Sequence, residues 1–278
     1  MYSTRAPDFA LLVCTTICLF AGACKEDDAG PPTSPHQEII GKLPSFPEGS
    51  GVIEYDHWYR AWLQGRPTGS HRVTVRTYPT EEGSLRLAET KTRMTMRIGT
   101  EVSRMAFEER ILVDEKHRLL RLVSTEHEAG AEPVAVRAGK LGDQMVTVRG
   151  PEIRKVPWDA TSVNTKSYGV FFPDHPPRKG EVKNSRTYNT EQGAYCDVRM
   201  EVVEVSAAEK TYTLEQTSPS LPGAVTRVKL DEKLEPLDVE MRMGSLTIRF
   251  ERVAEQPRSA DIEAWVPDLS SLTTIPVE

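Results

Sequence analysis

The chain is short of the residues that carry out chemistry. Cys14, Cys18 and Cys24 all fall within its opening segment, so Cys196 is the one cysteine in the rest of the molecule. A single thiol cannot close an intrachain disulfide in an oxidising compartment. All six histidines (His36, His57, His71, His117, His127 and His175) precede Cys196. A cysteine nucleophile of the kind that is followed in sequence by its histidine base is therefore excluded. The Gly-x-Ser-x-Gly elbow, the Gly-rich phosphate loop and the His-Glu-x-x-His helix are also missing, and with them the geometric parts of the common hydrolases, nucleotide enzymes and zinc proteases. No cofactor is called for. Basic charge is in deficit: 35 Lys and Arg against 41 Asp and Glu, a net charge of −6. Phosphate backbones are bound by basic surplus, so no nucleic-acid partner is expected.

The amino terminus is the most informative stretch. Phe9 to Ala23 is an uncharged run of 15 residues behind Arg5, the length of a secretory h-region and too short for a membrane-spanning helix. It ends in Ala21-Gly22-Ala23-Cys24, which resembles the bacterial lipobox. That resemblance implies removal of residues 1–23 and acylation of Cys24, with ordinary secretion as the alternative. Two or three acyl chains hold a protein on a membrane where one does not. By resemblance to enterobacterial sorting, Lys25 after the cysteine points to the periplasmic face of the outer membrane. Residues 24–50, with Pro31, Pro32, Pro35, Pro44 and Pro47, five acids and no apolar period, read as a disordered tether.

From residue 51 onward the period is two. Val73 and Val75, Leu85 and Leu87, Met94, Met96 and Ile98, and Val146 and Val148 each alternate with polar neighbours, as do Val225 to Leu230 and Leu246 to Phe250. Each run reads as a strand with one buried face. Turn residues such as Gly65-Arg66-Pro67-Thr68-Gly69, Asp114-Glu115-Lys116 and Gly244-Ser245 separate them. About a dozen strands joined so closely must pair antiparallel, because parallel pairing needs long crossovers. The expected fold is all-β: a large curved antiparallel meander or half-open barrel over residues 51–253, ending in an extended tail, 254–278. Tyr55 to Gln64 carries some helical spacing but is read as a strand on its aromatic content. The Pro-rich stretch from Gly150 to Gly180 is expected to cross between halves of one sheet.

Trp58-Tyr59, Gly65 to His71, the Pro173-Asp174-His175-Pro176-Pro177-Arg178-Lys179-Gly180-Glu181 turn and the pair Val228 to Leu237 and Gly244 to Phe250 resemble the β-rich domain that precedes the catalytic core of bacterial transglutaminase-like lipoproteins. The catalytic core itself is not expected within these residues, since no histidine follows Cys196. At the level of fold alone the pattern is also similar to periplasmic carriers of lipoproteins and lipids.

Individual residues divide between chemistry and packing. Cys196 alternates with Asp197 in a run whose Val198, Met200 and Val202 share its face, which places the thiol in a strand core. Glu126-His127-Glu128 cannot converge on one ion, since a strand turns His127 away from the two acids; a solvated strand end is expected. Asp174-His175 reads as a polar turn. Arg72, Arg76, Arg86, Arg93, Arg97 and Arg104 form a basic row read as a solvated face. Met94, Met96, Met105, Met200, Met241 and Met243 fall on strands, where flexible thioethers either fill a core or line a cavity for an acyl chain. Two functions follow. One is a lipid-anchored, non-catalytic envelope module that contacts a protein or glycan. The other is a carrier for an acyl chain or lipoprotein tail, which requires an open apolar cavity of several hundred Å³ where an interaction module is filled.

Overall fold

The computed structural model describes residues 35–81, 83–98, 101–128, 132–164 and 166–257. The signal segment 1–23, Cys24 and tail residues 258–278 lie outside the described residues, as does the side chain of Met96.

A short helix, α1 (Pro35–Lys42), leads into fourteen strands. The first eight are β1 (Val52–Leu63), β2 (Arg66–Thr80), β3 (Gly83–Ile98), β4 (Glu101–Val113), β5 (Leu119–Glu128), β6 (Val134–Leu141), β7 (Gln144–Arg149) and β8 (Glu152–Pro157). The other six are β9 (Val182–Asn189), β10 (Ala194–Ser206), β11 (Thr211–Thr217), β12 (Ala224–Leu230), β13 (Pro236–Met243) and β14 (Leu246–Val253). All lie in one sheet of order β8-β7-β6-β5-β4-β3-β2-β1-β14-β13-β12-β11-β10-β9. Every neighbouring pair is antiparallel, and β1 and β14 join the halves from Trp58↔Val253 to Leu63↔Ile248. The fold class is the expected one, as is the strand assignment of Tyr55 to Leu63.

The first hairpin corrects one turn. Only Gln64 (φ 51°) and Gly65 (φ 74°) form it; positive φ at both positions is the two-residue turn that matches strand twist. Arg66 to Gly69, expected in the turn, already pair with β1. Gly69 meets a different need, because a Cβ there would stand 1.8 Å from the Arg93 carbonyl oxygen on β3.

The sheet curls so that its two ends meet without a backbone ladder. Thr147 Oγ1 on β7 lies 2.6 Å from Tyr188 Oη on β9. Arg149 Nη1 reaches Glu191 in the β9–β10 turn at 2.7 Å, and Arg154 Nη1 donates to the Gln192 carbonyl at 2.9 Å. The crossover expected from Gly150 to Gly180 starts later, because β8 (Glu152–Pro157) still pairs with β7; the 158–181 connection then runs from one end to the other and shields the open edge of β9. Val163 N–H donates to the Arg186 carbonyl at 2.7 Å, while the Asn164 side chain both accepts from Tyr188 N–H and donates to Tyr188 C=O. An amide side chain here stands in for a neighbouring strand, which protects an edge that would otherwise recruit another chain.

Alternation sends one set of residues inward and another outward. The inner set packs as a cluster that includes Tyr59, Ile111, Leu122, Met145, Ile248 and Phe250. A second cluster, Met200, Val202, Leu214, Val228 and Leu230, is covered by Phe172, Tyr168 and Phe171 of the connection. On the outer face Tyr78, Leu87 and Leu112 pack with Phe46.

That last contact corrects the tether. Its second half is ordered: Leu43 is buried, the Arg121 guanidinium donates to the Pro44 carbonyl at 2.5 Å, and Arg110 and Arg121 stand 4.1 and 4.9 Å from the Phe46 ring centre. Scattered apolar residues in a Pro-rich stretch carry no period, so their partners become visible only when the strands supply an apolar outer patch. Phe46→Ala is expected to lower stability by about 1–2 kcal/mol through lost apolar burial and cation–π contact. Urea unfolding at neutral pH measures it; an unchanged midpoint would mean the segment is not docked in solution.

Candidate functional site

The curled sheet encloses a cavity of about 190 Å³. Its wall follows the strand alternation. Phe107, Glu109 and Ile111 come from β4, Leu122, Ser124 and Glu126 from β5, Ser185, Thr187 and Asn189 from β9, and Cys196, Val198 and Met200 from β10, while Val163, Asn164, Lys166, Tyr168 and Phe171 of the connection close one side. Most of the wall is apolar, a surface that takes up hydrocarbon and holds few fixed waters.

The methionines divide. Met200, Met241 and Met243 line the cavity. Met94 and Met105 face each other across β3 and β4, are buried, and pack in the surrounding core. Strand spacing treats all of them alike; position along the strand separates them.

Several ionisable groups in the wall were not singled out as site residues by sequence reading. Glu109 is buried and pairs with Lys166 at 3.3 Å. Lys166 lies on the connection, so only the crossover brings the pair together. His71 on β2 is buried, its ring 4.7 Å from Phe250 and 5.7 Å from Tyr59. Burial, with the Lys166 charge adding to it, pushes this imidazole down to about 3 and keeps it neutral. Burial likewise pushes the Tyr55 and Tyr59 phenols up; both donate hydrogen bonds to carbonyls, of Lys166 at 2.9 Å and Pro236 at 3.0 Å.

Glu126 corrects the expectation of a solvated strand end. It sits half-buried in the cavity wall opposite Phe107, while His127 and Glu128 are exposed. Burial, then the charges of Glu128 and Glu191, raise its carboxyl to about 7 against the opposing pull of Arg149. Glu109 faces Ser124 across β4 and β5, so Glu126 is its diagonal neighbour, about 7–8 Å away by strand geometry with the Cβ atoms somewhat closer. Two carboxylates at such spacing serve glycosidases. Here one is held by Lys166, and Phe107, Ile111, Leu122 and Val136 stand beside them in the wall.

Nucleophilic chemistry lacks its parts as well. His71 Nδ1 lies 2.7 Å from Thr92 Oγ1, but Thr92 is buried and does not reach the cavity. Cys196 does reach it and is buried on β10, its thiol donating to the Thr187 carbonyl at 3.6 Å. Among the described residues no group of His, Cys, Asp and Glu is arranged to hold a metal ion. Elsewhere, His175 accompanies Glu181 at 3.8 Å and the carbonyl of Pro176 at 2.9 Å within its Pro-rich turn. Arg72, Arg76 and Arg86 of the basic row pair with Asp56, Glu89 and Glu54.

The fold is similar to that of the β-barrel-like protein of DUF1849, a domain of unknown function, from Brucella abortus: TM-score 0.54 at 12% identity, covering 74% of this chain and 98% of that one. A DUF1089 family protein from Pseudomonas aeruginosa covers 70% of this chain and 94% of its own at TM-score 0.37 and 10% identity. No protein-family model matches the chain, and no curated protein does. The β-rich architecture thus has a solved counterpart, whereas the resemblance to transglutaminase-associated domains finds none in these comparisons.

Proposed function

We propose that this chain is a non-catalytic binding protein whose curled sheet shelters the apolar part of one small amphipathic molecule, and that a lipid on Cys24 holds it at the cell envelope. The cavity carries this reading. An engineered apolar cavity of about 150 Å³ already takes up benzene, and drug-sized sites run from about 300 Å³ upward. At about 190 Å³ the space suits a ring or a single short hydrocarbon chain. It is too small for the bundled acyl chains of a lipoprotein, which narrows the carrier expectation. A module that only contacted partners through its surface would gain more stability from a filled interior, since each void forfeits packing contacts. The anchor rests on the Ala21-Gly22-Ala23-Cys24 sequence; Cys24→Ala should abolish incorporation of labelled fatty acid.

The test of binding is native mass spectrometry of the purified chain, with calorimetric titration by octan-1-ol. One bound equivalent is expected. Ser124→Phe and Ser185→Phe place a ring on the inner face from β5 and β9 and should abolish it while leaving the far-ultraviolet spectrum unchanged. A wild-type protein that carries no adduct and binds no octan-1-ol would overturn the reading.

A further inference from the structure

At the seam where the sheet ends meet, one wall residue is left with unused hydrogen-bonding capacity. Asn189 is 8% exposed and lines the cavity. Its Oδ1 accepts from the backbone N–H of Glu191 at 2.9 Å and of Gln192 at 3.3 Å. Two N–H donors on that atom settle which end of the amide is oxygen, so the other end is an NH₂ group. This Nδ2 is buried and has no hydrogen-bond partner. A buried donor without an acceptor is unfavourable, and native proteins keep one mainly where something else supplies the acceptor.

The charges around it select what that acceptor can be. The two cations at this end are both engaged, Arg149 by Glu191 at 2.7 Å and Arg154 by Glu152 at 3.1 Å. Glu126 of the wall feels both Glu191 and Glu128. Four acids against two engaged cations repel an anionic head group. An ammonium meets the opposite difficulty, because it brings only donors to a site whose open group is itself a donor. An uncharged oxygen acceptor satisfies both conditions. Arg149 and Glu191 also belong to the seam, so a ligand held there touches both ends of the curled sheet.

We infer that the bound molecule presents an uncharged carbonyl oxygen, as in an acyl amide or ester, to Asn189 Nδ2 at the seam, with its hydrocarbon directed into the cavity. This deepens the binding reading above and rests on it. Calorimetry at pH 8 on the full chain, with octanamide, octanoate and octylammonium as probes of equal chain length and toluene as a probe without a head group, tests it. Octanamide should bind about tenfold more tightly than either ion. Asn189→Asp keeps the oxygen that the turn needs and removes the donor; it should lower octanamide affinity about tenfold and leave toluene unchanged. Asn189→Ser serves as a second variant with an accepting hydroxyl, and melting curves report whether each folds. Should both unfold, the order of the three head groups on the wild-type protein decides. Equal binding of the three, or preference for an ion, overturns the inference while leaving the binding reading intact if toluene still binds. Loss of toluene along with all three octyl probes would overturn both.

Discussion

Acidification from pH 7 to pH 4 is expected to cost the fold about 3 kcal/mol through His71 alone. The imidazole is lowered from the usual 6.5 to about 3 by its enclosure, with the nearby Lys166 charge opposing protonation further. The unfolded chain therefore binds more protons than the native chain between those two values. Stability then rises with pH across the window, is fully present above 6.5 and is lost as pH falls toward 3. His71→Phe keeps a ring of similar size against Tyr59 and Phe250 but cannot take a proton. Its absolute stability will drop where Thr92 loses its partner, so the informative quantity is the slope. Urea midpoints at several pH values should show the difference between wild type and variant shrinking by about 3 kcal/mol from pH 7 to pH 4. Parallel curves would mean that the ring is hydrated in solution.

Glu126→Gln should act in the opposite direction and at the opposite end of the pH range. Its carboxyl is raised from 4.5 to about 7 by burial and by the charges of Glu128 and Glu191. The native state thus holds a proton that the unfolded state has released, and stability falls as pH rises through that window. Ionised Glu126 is a cost that is fully present above pH 7. Because the group is only half-buried and solvent screens it, the cost is about 1–2 kcal/mol and not the full value of the shift. The variant should be more stable than wild type by that amount at pH 8 and equal to it at pH 4. Finding no gain at pH 8 would show that Arg149 already compensates the charge.

The sequence made the inner face legible where the chain repeats every second residue. Val73 and Val75, and the run Leu246 to Phe250, were placed on a buried face by spacing alone, and the strand position of Cys196 followed from its neighbours. The candidate site was legible only in part. Met241 and Met243 reach the cavity while Met94 and Met105 do not, although all four share the same local pattern. Alternation reports the face of a sheet; it does not report how far along the barrel a residue lies. Glu109, Glu126 and Asn189 gave still less signal, because each looks like an ordinary polar residue in a strand. One cheap signal did exist. Glu109 and Glu126 fall on the apolar phase of their strands, in register with Phe107 and Leu122, and an acid in that phase faces the interior.

Local covalent and steric rules acting on this sequence were sufficient for the antiparallel strands, the close turns and the Pro-rich crossover, because each depends on residues within a few positions of one another. The curl of the sheet, the meeting of β7 with β9, the docking of Phe46 on the outer face and the pairing of Lys166 with Glu109 were decided by tertiary structure. These contacts join residues far apart in the chain, 41 positions for Thr147 with Tyr188 and 75 for Phe46 with Arg121. Their energies depend on how twist accumulates over fourteen strands, a sum that no single window of sequence contains.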